Sequence, residues 1–193
     1  MENGWHGACS RQCVMIKQQI YDIFIEFEHR SAAIYSQLST KCTVNPGLTW
    51  FFVEMATDEK RQAGTLEYCR DNRMFSDRLP DAGQIQRLGS LFKEIANRMF
   101  SENIDVDGAF EVAIALETSD MNDIYDGLTE TANALRNVNR SKTGIATCDR
   151  FERLHAAAVR FGAATAIQNV LHHLAEASVM ARYFGQETSA AAI

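Results

Sequence analysis

The chain has 193 residues, of which 46% are apolar and 23% are charged, so it is long enough to bury a full hydrophobic core in one domain. Two prolines and 11 glycines leave long stretches without turn signals, which favours an all-α protein over a many-stranded sheet. The net charge of -6 and the lack of a basic stripe argue against nucleic acid as a partner.

The first dozen residues, 1–12, are predicted to be a flexible leader. His6, Cys9 and Cys13 have the spacing of metal ligands, but a closed zinc site needs four ligands and no second pair completes it, so ordinary thiols are favoured. The five cysteines are scattered and odd in number, which indicates reduced thiols. Charged residues interrupt the apolar segment 14–27, so we expect no membrane span, no export signal and a cytoplasmic location.

The first predicted helix extends from about Cys13 to Ser39. Its apolar residues recur at steps of three and four, and Glu28 lies among them, whereas Glu26 lies on the solvent side. Burying a carboxylate without a partner costs roughly several kcal/mol, so an inward glutamate is expected to have a cation, a proton or a metal beside it.

The second predicted helix begins with the cap Asn45 and with Pro46 at its first position, and extends to about Asn72. Glu59 and Gln62 lie on its apolar stripe, which consists of Leu48, Phe52, Met55, Ala63 and Leu66. Pro80 and Gly83 mark the next connection, and a shorter amphipathic helix follows over about residues 85–100.

A third core helix is predicted from residue 109 onwards. Glu117 is centred in its apolar stripe, and Asp120 lies at the edge of the same face. The residues Asn103-x-Asp105-x-Asp107-Gly108 imitate the start of a calcium-binding loop, but the twelfth position is Ile114 and not a bidentate glutamate. We therefore interpret them as the N-terminal cap of this helix.

The fourth predicted helix follows a polar loop at residues 137–144. Asp149-x-x-Glu152 resembles a capping box, and the helix extends from there to about Phe184, with Gly162 as a point at which it could be interrupted. His173 and Glu176 flank its apolar stripe. The main domain is therefore expected over residues 13–185, followed by a tail at 186–193.

Each of the four long helices thus offers acidic or imidazole groups on or beside its apolar face. The candidate ligands are Glu28, Glu59 with Gln62, Glu117 with Asp120, and His173 with Glu176. Four ionised glutamates carry a charge that two divalent cations would neutralise, and oxygen ligands with one imidazole suit iron or manganese. The alternative is that arginine, lysine, tyrosine or water satisfies these carboxylates in a bundle without metal chemistry.

Residues 48–63, Leu-x-x-Phe-Phe-x-x-Met-Ala-x-Asp-Glu-Lys-Arg-Gln-Ala, resemble the second core helix of the rubrerythrin branch of the ferritin-like superfamily. The resemblance covers most of residues 14–184. That family has Glu on helix one, Glu-x-x-His on helix two, Glu on helix three and Glu-x-x-His on helix four, which hold a di-iron or related dimetal centre. Glu28, Glu59 and Glu117 match this pattern.

Two positions depart from the family pattern. Gln62 stands where the second helix should have His, and His173-x-x-Glu176 inverts the order of the fourth-helix motif. A one-metal site, a differently ligated pair and a site without metal therefore all remain open.

The resemblance implies a ferritin-like four-helix bundle with an additional short helix between its two helix pairs, which we expect to form a homodimer. It also implies a dimetal oxidoreductase or iron-handling protein that reacts with oxygen or peroxide, as a rubrerythrin-like peroxidase or a ferroxidase does. Glu28 and Glu117 would bridge or cap the metals, Glu59 and Glu176 would be terminal carboxylates, and His173 would supply the imidazole.

Rubrerythrins usually also contain a rubredoxin-like module with paired C-x-x-C motifs. This sequence has no such pair, so redox turnover would need an external electron donor. The rival interpretation is a metal-free ferritin-like bundle that serves as a structural or protein-interaction module.

Overall fold

The computed structural model describes residues 5–43, 45–101, 103–135 and 143–190. Over these ranges the protein consists of α-helices with no β-strand, which confirms the all-α class. The helices are α1 (Trp5–Lys41), α2 (Pro46–Asp71), α3 (Ala82–Ser101), α4 (Val106–Glu117), α5 (Met121–Leu135), α6 (Thr143–Phe161) and α7 (Thr165–Ala190). None of these described helices has the length and apolar character needed to cross a membrane.

Helices α1 and α2 form the most extensive packing in the molecule. The cap predicted for α2 is confirmed: Asn45 Oδ1 accepts hydrogen bonds from Gly47 N (3.1 Å) and Leu48 N (3.3 Å), and Pro46 occupies the first turn. Helix α1 begins at Trp5, inside the segment expected to be a leader. At the other end, α7 extends to Ala190, and residues 191–193 of the expected tail lie outside the described residues.

The predicted third core helix is two helices, because the chain leaves the helical path directly after Glu117. The Ser119 hydroxyl donates to the main-chain oxygen of Leu116 (2.6 Å) and accepts from Met121 N (3.4 Å). Side chains that bind nearby backbone groups compete with helical hydrogen bonds, and this accounts for the break. The cap before α4 is confirmed, since Asp105 Oδ1 accepts from Gly108 N at 2.8 Å.

The predicted fourth helix is also two helices, which fold back against each other at Gly162. Gly162 has φ 73°, and Ala163 N donates to Ala158 O at 3.0 Å, which is the pattern that ends a helix with a left-handed residue. Helix α6 begins at Thr143, earlier than the predicted Asp149. As a result, His173 and Glu176 belong to α7 and not to the helix that reaches the centre of the molecule.

Helices α1, α2, α4 and α6 surround a shared centre: α1 packs against α2 and α4, and α6 packs against α2 and α4. Helix α3 covers one side of α1, where Phe92 stacks on Phe27 with ring centroids 5.1 Å apart. Helix α7 packs on α6 and α4. The shared centre is apolar except for a small group of charged and polar side chains, described next.

Candidate functional site

Three of the predicted ligands, each from a different helix, converge at the centre of the molecule. Glu28 on α1, Glu59 on α2 and Glu117 on α4 are 1%, 4% and 5% exposed, and each interacts with at least one of the others. Arg150 on α6 is 6% exposed and lies among them. These four residues, together with Tyr35, Gln62 and Asn122, are called the buried cluster below.

Arg150 supplies the positive charge of the buried cluster. Its Nη1 lies 2.9 Å from Glu59 Oε1 and 3.1 Å from Glu117 Oε2, and it also donates to Asn122 Oδ1 at 3.4 Å. The contact to Glu59 Oε1 is an ion pair without hydrogen-bond geometry, and this oxygen has no hydrogen-bond partner. Burial alone would lower the pKa of the guanidinium, but Glu117 and Glu59 raise it overall, so Arg150 stays charged.

Glu117 is the most completely satisfied carboxylate of the three. The Tyr35 hydroxyl donates to its Oε1 at 2.8 Å, and Asn122 Nδ2 and Arg150 Nη1 donate to its Oε2 at 3.2 Å and 3.1 Å. Burial, and then the charge of Glu117, raise the pKa of Tyr35 well above its ordinary value, so the phenol keeps its proton and remains a donor.

Gln62 links the two sides of the buried cluster. With its amide oriented to suit its neighbours, Nε2 donates to Glu28 Oε2 at 3.0 Å and Oε1 accepts from Arg150 Nη2 at 2.7 Å. An amide has donor and acceptor atoms on one terminal group, so it can bind a carboxyl group and a guanidinium at the same time. Gln62 therefore suits a centre that contains arginine.

The carboxyl groups of Glu28 and Glu59 interact directly, so ionisation of one disfavours ionisation of the other. Burial, and then the charge of Glu59, raise the pKa of Glu28 well above its ordinary value. Burial raises the pKa of Glu59 to about 7, although Arg150 opposes this shift. Glu28 is therefore protonated at neutral pH, Glu59 is partly protonated, and Arg150 compensates negative charge that remains on the buried cluster.

The remaining predicted ligands lie outside the buried cluster. Asp120 accepts from Arg87 Nη2 at 2.7 Å near the surface. The side chains of His173 and Glu176 are 77% and 60% exposed, and they contact each other at 3.5 Å, while His172 also contacts Glu176 at 3.3 Å. In this arrangement Asp120, His173 and Glu176 are not placed to bind a metal ion together with the three buried glutamates.

The buried cluster does not fit a dimetal centre. Such a centre needs carboxylate oxygens free to coordinate and an imidazole, whereas here a guanidinium lies against two of the carboxylates, and burial raises the pKa of Glu28 well above its ordinary value. Helix α6 does contain Glu152-x-x-His155, but Glu152 is exposed and Arg150 is the residue that faces inwards. Within the described part of the chain, no three His, Cys, Asp or Glu side chains are arranged to hold a metal ion.

Arg150 and Asn122 were not predicted to belong to the site. Arg150 is four residues before Leu154 and seven before Ala157, both of which are buried, so the helical period of α6 was the signal for an inward arginine. The predicted helix began at Asp149, so Arg150 was expected in its first turn and at the surface. Asn122 gave no comparable signal, because its position depends on the break between α4 and α5.

Comparison with known proteins adds no identification. No family model matches the chain, and no curated protein or solved structure matches it. Its function is therefore inferred from the buried cluster and from the surface around it.

Proposed function

We propose that this protein is a metal-independent, ferritin-like helical bundle that serves as a structural or protein-interaction module. In this proposal Arg150 takes the role that metal ions have in the dimetal members of the family. The observation that supports it is the position of the Arg150 guanidinium, 2.9 Å from Glu59 and 3.1 Å from Glu117.

The balance of charge supports this proposal. Glu59 and Glu117 share one guanidinium, Glu28 stays neutral by keeping its proton, and Glu59, with a pKa of about 7, is partly protonated at neutral pH. A divalent cation would have to displace Arg150, which is 6% exposed, and remove that proton. The released guanidinium would then need a new partner or a path to water, so metal binding works against the native packing.

The competing function is an iron- or manganese-dependent oxidoreductase. Its support is the convergence of Glu28, Glu59 and Glu117 from three helices. For this function, Arg150 must leave the buried cluster. An imidazole must also move into the cluster, whereas His173 lies at the surface.

Elemental analysis of protein purified without chelator, before and after anaerobic incubation with ferrous iron, tests the two functions. The proposal predicts only trace iron and manganese and the same melting temperature with and without EDTA, because no ligand stabilises the native state. About one or two ions per chain, lost in a Glu59→Ala variant, would overturn it. A Glu152→Ala variant, changed at an exposed carboxylate, is the control for non-specific metal.

A further inference from the structure

A cleft lies between the first turns of α2 and the C-terminal half of α6, away from the buried cluster. Its volume is about 310 Å³. Phe51 and Ala157 are buried and form its floor, and Trp50 and Phe161 form aromatic walls. Trp50 is 64% exposed, which is unusual for the largest apolar side chain of a protein and leaves its ring available to a ligand.

The wall at Phe161 is held in position by the backbone. A Cβ atom on Gly47 would lie 2.9 Å from Phe161 Cε1, so the ring packs directly on the first turn of α2 where there is no side chain. Phe161 is also the last residue of α6, directly before Gly162 with φ 73°. The cleft therefore has one fixed aromatic wall before any ligand binds.

The charges at the cleft leave one cation available. Arg153 is compensated, because its guanidinium lies 2.7 Å from Asp58 and 3.7 Å from Glu54. Arg160 lies 5.2 Å from the centre of the Phe161 ring and has no acidic partner among the described residues. Glu54 also lines the cleft but lies against Arg153, so Arg160 is the cation with which a carboxylate could pair beside the aromatic surface.

We propose that this cleft binds a small aromatic carboxylate. The ligand's ring packs against Trp50 and Phe161, and its carboxylate pairs with Arg160, whose planar guanidinium can bind both oxygens. The volume is at the lower end of small-molecule sites, roughly 300–1,000 Å³, and is short for a docked helix. The site is separate from the buried cluster, so this inference stands whether or not the protein proves to be metal-independent.

The test is a titration of the ¹⁵N-labelled full chain, followed by NMR, with two probes that share a ring and differ in charge. Indole-3-acetate carries the carboxylate, and indole-3-acetamide is its neutral counterpart. The proposal predicts that the acetate shifts the Trp50 indole N–H and the Gly47 amide with a Kd below about 5 mM, and that the acetamide binds about three- to tenfold more weakly. The Trp50 signal is assigned from its loss in Trp50→Phe.

Two variants and one control complete the test. Arg160→Met should weaken binding of the acetate about three- to tenfold and make the two probes equal, and Trp50→Ala should weaken both probes. Arg87→Met, which removes an exposed arginine paired with Asp120, should change neither. Circular dichroism at 222 nm checks that each variant is folded.

Three results would overturn the inference. The first is no shift of the Trp50 or Gly47 signals at 10 mM of either probe. The second is equal affinity for both probes in the unaltered protein. The third is a dimer in sedimentation velocity that is disrupted by Trp50→Ala, which would make the cleft a contact between two copies of the chain.

Discussion

Replacing Arg150 with methionine is the change that most strongly perturbs the buried cluster. Methionine keeps an unbranched apolar side chain but removes the charge that compensates Glu59 and Glu117. Removing one partner of a buried ion pair costs about 3–5 kcal/mol, because the other charge is left without compensation.

The cost should depend on pH in a calculable way. The variant can relieve the uncompensated charge by protonating a carboxylate, and for a carboxyl group with an unfolded pKa near 4.3 this costs about 3.7 kcal/mol at pH 7 and about 1 kcal/mol at pH 5. We therefore expect Arg150→Met to lose about 4 kcal/mol of unfolding free energy at pH 7 and about 1 kcal/mol at pH 5. The corresponding fall in melting temperature at pH 7 is roughly 10 °C for a chain of this size.

Urea denaturation followed by circular dichroism at both pH values measures this difference. Arg153→Met is the matched control, since Arg153 is one turn away on α6 but its side chain is 37% exposed and pairs with Asp58 near the surface. The control should lose no more than about 1 kcal/mol. A loss for Arg150→Met that equals the control at pH 7, or that is the same at pH 5 and pH 7, would refute the reasoning.

Three further predictions concern the raised pKa values of Glu28 and Glu59, the Tyr35 hydroxyl and the turn at Gly162. The unfolding free energy should fall as the pH rises from 5 to 8, because the folded-state pKa values of Glu28 and Glu59 lie above their unfolded values. The stability that each group contributes is complete below its unfolded pKa and is lost as the pH approaches its folded pKa. The loss is up to about 1.4 kcal/mol per pH unit for each group. Glu28→Gln, which keeps a neutral donor, should flatten that fall in urea titrations across this range, and parallel profiles for the two proteins would contradict the raised pKa of Glu28. Tyr35→Phe should cost about 1.5–3 kcal/mol in the same assay, because it removes the 2.8 Å hydrogen bond to the Glu117 carboxylate, and a loss below about 0.5 kcal/mol would show that this bond is not made. Gly162→Ala should cost about 1–2 kcal/mol in thermal unfolding, since φ 73° strains an L-residue although nothing lies within 4 Å of the added Cβ, and a neutral result would mean that the turn adopts another conformation.

Helical periodicity was sufficient to predict that three of the candidate carboxylates face inwards, although it also proposed Asp120 and Glu176, which do not. Glu28, Glu59 and Glu117 each lie among apolar residues spaced three and four apart, and each is buried. The start of α2 was also predictable, because Asn45 and Pro46 act through contacts within a few residues. These features depend on short stretches of sequence, where local chemistry decides the structure.

The errors came from helix ends and from contacts between distant segments. The apolar periodicity predicted that the third helix continues through Thr118 and Ser119. In the structure, hydrogen bonds from these two side chains to the backbone end α4 there. Gly162 was noted as a possible interruption, but nothing in the sequence showed that α7 would fold back and leave His173 exposed. The pairing of Arg150 with Glu59 joins residues 91 positions apart in the sequence, and periodicity does not predict such contacts.

The most direct test of the central claim is anomalous diffraction from crystals of the protein grown with manganous ion. The claim is that the Arg150 guanidinium, and not a metal, compensates the buried carboxylates. It predicts no anomalous peak between Glu28, Glu59 and Glu117, and electron density for the guanidinium within hydrogen-bonding distance of Glu117. One or two peaks among these carboxylates, with Arg150 displaced from them, would contradict the claim and favour the dimetal function.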